Sequence, residues 1–131
     1  MENTNNIIKN ELLIFLNEHN KGNIKNNVEL IISKLLGNIN FVLKILSSSI
    51  QFIKGKTIFL VCGFRKNKDN FFIEFYSENN INDELITNKI HRNIKINNVN
   101  KNYIINRVEI IDKETINEKL FKWIYKSYNL V

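Results

Sequence analysis

Between Thr57 and Glu78 the chain reads TIFLVCGFRKNKDNFFIEFYSE, two apolar runs around the polar stretch Lys66-Asn67-Lys68-Asp69-Asn70. That is the sequence form of a β-hairpin, and it limits the fold more than any other segment. The first run is apolar on both alternating sets: Ile58, Leu60, Cys62 and Phe64 on one, Phe59 and Val61 on the other. A strand of this kind is expected near the middle of a sheet, covered on both sides. The second run is one-sided. Phe71, Ile73 and Phe75 alternate with Phe72, Glu74, Tyr76 and Glu78, so one face is apolar and the other mostly polar. Gly63, inside the two-sided run, marks a bulge or a close backbone approach.

Helical periodicity flanks the hairpin. Asn3 to Asn20 carries Ile8, Leu12, Leu16 and His19 at helical spacing, widened by Ile7, Phe15 and Leu13. Thr4, Asn5 or Asn6 can cap its start, and Asn20-Lys21-Gly22 can stop it. A second helix is expected from near Asn26 to about Leu36. Because Ile39, Leu43 and Leu46 keep the same period, it either kinks at Gly37-Asn38 or continues to about Leu46, ending at Ser47-Ser48-Ser49. Ile50–Ile53 suggests a short strand. Asp83 to Lys89 suggests one or two helical turns, Ile90 to Ile96 a short strand, Asn97 to Asn102 a loop, and Tyr103 to Ile111 a strand. Asp112 then caps an amphipathic helix, Lys113 to Tyr128, with Ile116, Leu120, Trp123 and Ile124 inward.

The expected fold is therefore α+β. A mostly antiparallel sheet of three to five strands carries N-terminal helices and a C-terminal helix packed on one face. With 131 residues the expectation is a single domain, 1–131, helical over 1–48, with sheet and closing helix over 50–131. A chain of this length buries roughly two-thirds of its unfolded surface and needs no disulfide or metal to fold. Cys62 has no second cysteine to pair with, which suits a reducing compartment. No signal-type stretch opens the chain and no run approaches a membrane span. The expected setting is the cytoplasm of a prokaryotic cell or of a virus-infected host, with no membrane association.

A net charge of +6 invites a nucleic-acid partner. Yet the chain holds 25 Asn, 23 Ile and 16 Lys against 3 Arg, with no Ala and no Pro. That profile follows AT-rich codons, so part of the lysine excess is compositional drift. Arginine, the better reader of phosphate and guanine, is scarce.

Most catalytic signatures are missing. Gly22, Gly37, Gly55 and Gly63 are too far apart for a phosphate loop. One Cys with His19 and His91 cannot form a zinc cage. Asp69 and Glu74 approach the acidic pattern of restriction-type nucleases, but Tyr76 stands where a lysine is needed and Asp69 falls in the turn. The chain is read as non-enzymatic and without cofactor or metal. Cys62 and Trp123 are read as core residues. The candidate binding surface comprises Lys54, Lys56, Arg65, Lys66, Lys68, Glu74, Tyr76 and Arg107, with Arg107 able to pair with Glu74 or Glu78.

From Thr57 to Tyr128 an apolar strand ends in Gly63-Phe64-Arg65-Lys66 and a Phe-rich strand follows. An irregular stretch then leads to Ile104–Ile111 and a helix bearing Leu120-Phe121-Lys122-Trp123-Ile124-Tyr125-Lys126-Ser127-Tyr128. This order resembles the small bacterial domain known as "predicted transport protein", found alone or appended to restriction-endonuclease-like proteins. The resemblance implies no activity or catalytic residues. It implies a prokaryotic or viral setting near DNA-targeting conflict systems. The functional expectation is a small protein that binds another macromolecule, a protein before all, as immunity proteins and anti-defence inhibitors do. The alternatives are a nucleic-acid-binding module using the hairpin lysines and Tyr76, and an enzyme with a site built from Glu74, His91 and Arg107.

Overall fold

The computed structural model describes the backbone of residues 2–66 and 68–131 and the side chains of residues 10–66 and 68–131. The expected cap at Thr4, Asn5 or Asn6, the stripe residues Ile7 and Ile8, and turn residue Asn67 lie outside the described side chains. Helices α1 (Glu2–Glu18) and α2 (Ile24–Leu36) precede six strands: β1 (Val42–Ile45), β2 (Ser49–Lys54), β3 (Thr57–Phe64), β4 (Phe71–Ser77), β5 (Ile86–Ile96) and β6 (Val99–Ile110). A 3-10 turn (Lys113–Thr115) and helix α3 (Glu118–Leu130) close the chain. The fold is α+β. Its sheet has order β1-β2-β3-β4-β6-β5, every pair antiparallel. Six strands replace the three to five expected.

Strand β1 comes from a segment read as helix, and β5 extends the short strand expected at Ile90 to Ile96 back to Ile86. Helix α2 ends at Leu36, and Ile39, Leu43 and Leu46 do not continue it. Residues 42–45 form β1, where Leu43 and Ile45 turn inward and Val42 and Lys44 outward. A short apolar run satisfies both periods, and the break at Gly37-Asn38 decides for the strand. Asn38 Nδ2 donates to the Lys34 carbonyl at 2.8 Å, holding the peeled end of α2. Ser47-Ser48 is then a hairpin turn between β1 and β2, closed by Leu46 N–H to the Ser49 carbonyl at 2.9 Å. The helical part expected over 1–48 is thereby cut back to end at Leu36.

Residues 83–89 form no helix. Asp83 accepts from Leu85 N–H in a local turn (2.9 Å), and β5 starts at Ile86. Strands β5 and β6 pair from Ile86↔Val108 to Ile96↔Val99 around Asn97-Asn98, both at positive φ (52° and 64°). This is the geometry of a two-residue primed hairpin turn, which asparagine tolerates. The "loop" at 97–102 is therefore a turn followed by the start of a strand. Asp112 caps the 3-10 turn through Thr115 N–H (3.2 Å) rather than the helix. Helix α3 begins later, where Asn117 accepts from Leu120 N–H at 3.0 Å.

The core joins helices and sheet. Phe15, Leu16, Val28, Ile31 and Leu35 from α1 and α2 share one buried cluster with strand residues and with Ile116, Leu120, Trp123 and Ile124. Leu13, expected on the α1 stripe, is instead exposed. Registers Leu60↔Phe75, Cys62↔Ile73 and Phe64↔Phe71 put these six residues on one side of the sheet. Phe15 of α1 packs edge-on against Phe64 at 5.0 Å, and Trp123 of α3 stacks on Phe75 at 5.7 Å.

Strand β3 owes its doubly apolar pattern to a bulge rather than to cover on both sides. Phe52 pairs with Leu60 and Ile53 with Ile58, so Phe59 has no partner in β2. Leu60 and Phe59 are both buried, while Ile58 and Val61 stay half-buried. At this point Ser127 enters the ladder. Its Oγ donates to the Phe59 carbonyl at 2.6 Å and accepts from Tyr76 N–H at 2.9 Å. Ser127→Ala leaves two strand groups without partners and should cost about 2–4 kcal/mol. A urea melt in which the midpoint stays at the wild-type value would remove this role.

Candidate binding surface

The other side of the central strands is built around an absence of side chain at Gly63. A Cβ there would overlap the Phe72 ring, which lies across the glycine from its paired position. Phe72 occupies an outward position of β4 and remains half-buried. Two guanidinium groups cover it: Arg107 stands 3.9 Å from the ring centroid and Arg65 4.7 Å. Each arginine is held by a carboxylate. Arg65 makes a two-pronged pair with Glu109 at 2.5 and 3.0 Å, and Arg107 reaches Glu74 Oε2 through Nε at 3.2 Å and Nη2 at 3.1 Å.

The register explains the assembly. Glu74 faces Arg107 and Phe72 faces Glu109 across β4 and β6, while Arg65 follows the last residue of β3. The hydrogen bond to Glu109 raises the Arg65 pKa further above its ordinary value. Half-exposed pairs of this kind add about 0–1 kcal/mol each, and each cation–π contact about 0.5–1 kcal/mol. Their consequence is order and charge balance on an exposed sheet face rather than a large gain in stability.

The eight residues singled out from sequence divide into groups. Arg65, Glu74 and Arg107 meet around Phe72. Tyr76 follows on the same strand, 5.8 Å from the Tyr103 ring. Burial raises the Tyr76 phenol pKa, Arg92 opposes the shift, and Glu74 adds to it. Lys54 is engaged elsewhere: its Nζ donates to the Tyr128 carbonyl at 3.1 Å and sits 4.3 Å from that ring. Lys56 is exposed at the β2–β3 turn, and Lys66 and Lys68 at the β3–β4 turn. An eight-residue strand separates these two turns by roughly 25 Å. Lys66, Lys68 and Arg65 instead line a cleft of about 430 Å³ with His19 and Lys21.

Phe72 and Glu109 were missed. The available signal was an aromatic residue at an outward strand position with a glycine in the preceding strand. His91 does not join Glu74 and Arg107, because it pairs with Ile104, on the opposite alternating set of β6 from Arg107. Cys62 is fully buried and its thiol pKa is pushed far up by desolvation. Among the described residues no group of three His, Cys, Asp or Glu could hold a metal ion, and no helix is long and apolar enough to cross a membrane. No protein-family model, curated protein or solved structure matches the chain.

Two expectations follow. Gly63→Ala drives a methyl group into the Phe72 ring and should cost about 1–3 kcal/mol. Adding Phe72→Ala should recover part of that loss, so the two changes are non-additive in a double-mutant cycle read by denaturant melts. Separately, Asp83 is bonded to Lys119 at 2.8 Å, which with Leu85 N–H holds its carboxyl below the ordinary range. A depressed folded-state pKa stabilises above the unfolded value, and that contribution disappears as pH falls through the folded value. Asp83→Asn should therefore lower the melting temperature at neutral pH and leave it unchanged in strong acid.

Proposed function

We propose that this chain is a small non-catalytic binding protein that engages a protein partner through the side of the sheet bearing Phe72. Helices packed on one face leave the other to the partner. The role is that of an immunity protein or of an inhibitor of a defence nuclease, in a prokaryotic cell or a virus-infected host. One observation carries the reading: an aromatic side chain held on an outward strand position between two ordered arginines. Aromatic residues and arginine dominate interface hot spots, and rigid presentation lowers the ordering cost of association. Val61, paired with Glu74 and two residues from Gly63 on the same side of β3, supplies half-buried apolar surroundings.

Charge supports a protein over a nucleic acid. Glu109 and Glu74 already neutralise the two arginines, so this surface offers a phosphate backbone little net attraction. The fitting partner surface is apolar at its centre with mixed charges around it.

The test is quantitative capture. The wild-type chain and a Phe72→Ala, Glu74→Lys variant are used as baits in the native host, and captured proteins are identified by mass spectrometry. Affinity is then measured with the purified partner. Loss of at least about thirtyfold in the variant, with its fold intact by circular dichroism, is the expected result. Neutralising Lys54, Lys56, Lys66 and Lys68 together should leave that affinity largely unchanged. If those four changes abolish function, and wild-type binding to DNA weakens with salt at a log–log slope near −0.9 per phosphate, the nucleic-acid reading replaces this one.

A further inference from the structure

Strands β5 and β6 run on past the sheet as a two-stranded ribbon. Strand β6 pairs with β4 only from Ile104 to Ile110, whereas β5 and β6 stay paired out to Ile96↔Val99. Residues 92–96 and 99–103 therefore have no third strand beside them among the described residues. At about 3.3 Å per residue this free ribbon extends for roughly 15 Å. Its side chains are exposed or half-buried except for Tyr103. The Tyr103 hydroxyl donates to the Leu130 carbonyl at 3.3 Å and fastens the base of the ribbon to the end of α3.

Charge is gathered on this element. From Leu85 to Val108 there is no acidic residue, while Lys89, Arg92, Lys95, Lys101 and Arg107 make up five of the 19 basic side chains. The remainder of the chain is close to balance. Codon drift raises lysine everywhere, but it does not clear one segment of glutamate and aspartate. Arg107 is held by Glu74, and Lys89 donates to Asn80 at 2.6 Å. Arg92, Lys95 and Lys101 have no ion-pair partner among the described residues.

The register sorts the two sides. Lys89, His91, Asn93 and Lys95 share one side with Asn100 and Asn102, and Ile90, Arg92, Ile94 and Ile96 share the other with Val99 and Lys101. Aliphatic pairs such as Ile96 opposite Val99 stiffen a ribbon that two strands alone would hold only marginally. On the amide side, Asn93 Nδ2 donates to Asn102 Oδ1 at 2.9 Å. That bond orders both amides and leaves Asn93 Oδ1 to accept and Asn102 Nδ2 to donate.

We propose that this ribbon enters the major groove of duplex DNA, with its amide side toward the base edges and its unpaired cations toward the phosphates. The groove is about 12 Å wide and admits a two-stranded β-ribbon. Arg92 stands on β5 and Lys101 on β6, one for each wall. An asparagine amide matches the N6 donor and N7 acceptor of adenine. A second copy of the chain added along β5 is disfavoured, because Lys89, Arg92 and Lys95 lie on that edge and would face their own counterparts. This activity goes beyond the protein-binding surface and does not depend on Phe72.

The test is fluorescence anisotropy of the intact chain with a labelled A·T-rich duplex two helical turns long, titrated over a range of salt. Affinity should fall at a log–log slope of roughly −3, the value for three phosphates. Arg92→Gln, Lys95→Gln and Lys101→Gln together should weaken low-salt binding at least about tenfold and flatten the slope. Neutralising Lys54, Lys56, Lys66 and Lys68, or changing Phe72→Ala, should leave slope and affinity largely unchanged. The A·T-rich duplex should bind more tightly than a G·C-rich one, and Asn93→Ala with Asn102→Ala should remove that preference. Two comparisons need no variant. Single-stranded DNA, and duplex RNA with its deep and narrow major groove, should each bind at least about tenfold more weakly than duplex DNA. Binding of either within that margin overturns the groove assignment, and equal binding of the two DNA duplexes overturns the orientation of the amide side. Absence of salt-dependent binding to duplex DNA overturns the proposal as a whole, as does binding lost with the four turn lysines and kept without the three ribbon cations.

Discussion

The hydroxyl of Ser127 joins the two halves of this fold. The bulge at Phe59 removes a residue of β3 from pairing with β2, and the next pair in register with β4 begins only at Leu60↔Phe75. Past that point the Phe59 carbonyl and the Tyr76 amide would stand without strand partners. Ser127 supplies both an acceptor and a donor from the adjacent helix, and it is completely buried in doing so. A backbone rung is replaced by a side chain, so the sheet ladder and the helix position become one constraint. Serine is suited to this point because a short hydroxyl can accept and donate at once. Tyr128, the next residue, then lies edge-on to Phe59 at 5.0 Å, while Trp123 one turn earlier reaches Phe75.

The outward surface and the seating of α3 descend from this constraint by different routes. The bulge turns Phe59 inward and leaves Val61 and Gly63 facing outward, in line with Glu74 and Phe72 across β4. Gly63 lets the Phe72 ring settle low enough for two guanidinium groups to cover it. On the helix side, fixing Ser127 fixes the C-terminal turns of α3 against the segment leaving β4. Tyr76 connects the two faces of the sheet: its amide belongs to the Ser127 junction, while its position alternates with Phe75 and falls on the Phe72 side of β4.

Legibility in the sequence followed the strength of the periodic signal. The β4 half of the Thr57–Glu78 hairpin and the inward residues of α3 were readable because each apolar stripe fits one period only. The 37–46 segment failed because Leu43 and Ile45 alternate while Ile39 and Leu43 also stand four apart, and four residues are too few to separate these periods. Strand β5 was legible only in its second half, the short strand expected at Ile90 to Ile96. Between Ile86 and Ile94 its residues are exposed, so no buried face imprints an alternation, and its start was read as part of helical turns at Asp83 to Lys89. The Asn97-Asn98 turn carried a genuine signal, muted by asparagine being frequent everywhere. For the binding surface, the sequence left Arg107 open to Glu74 or Glu78, and the β4–β6 register decides for Glu74. Arg65–Glu109 required knowing that β6, not β5, lies beside β4.

The distribution of charge follows from the same topology. Three arginines occur in the chain, and two of them are held by glutamates over Phe72. Lys54 is bound to the end of α3, and Lys119 is paired with Asp83. The remaining lysines fall largely at turns, at the sheet edges and on helix exteriors, where they protect edges and keep the surface hydrated. Lys21, Arg65, Lys66 and Lys68 share one cleft with His19 and Glu18, so part of the net charge of +6 is gathered there. Side chains are fixed by specific partners in two places: at the Phe72 surface, ordered by paired arginines, and at the junction where Ser127 ties α3 to β3 and β4.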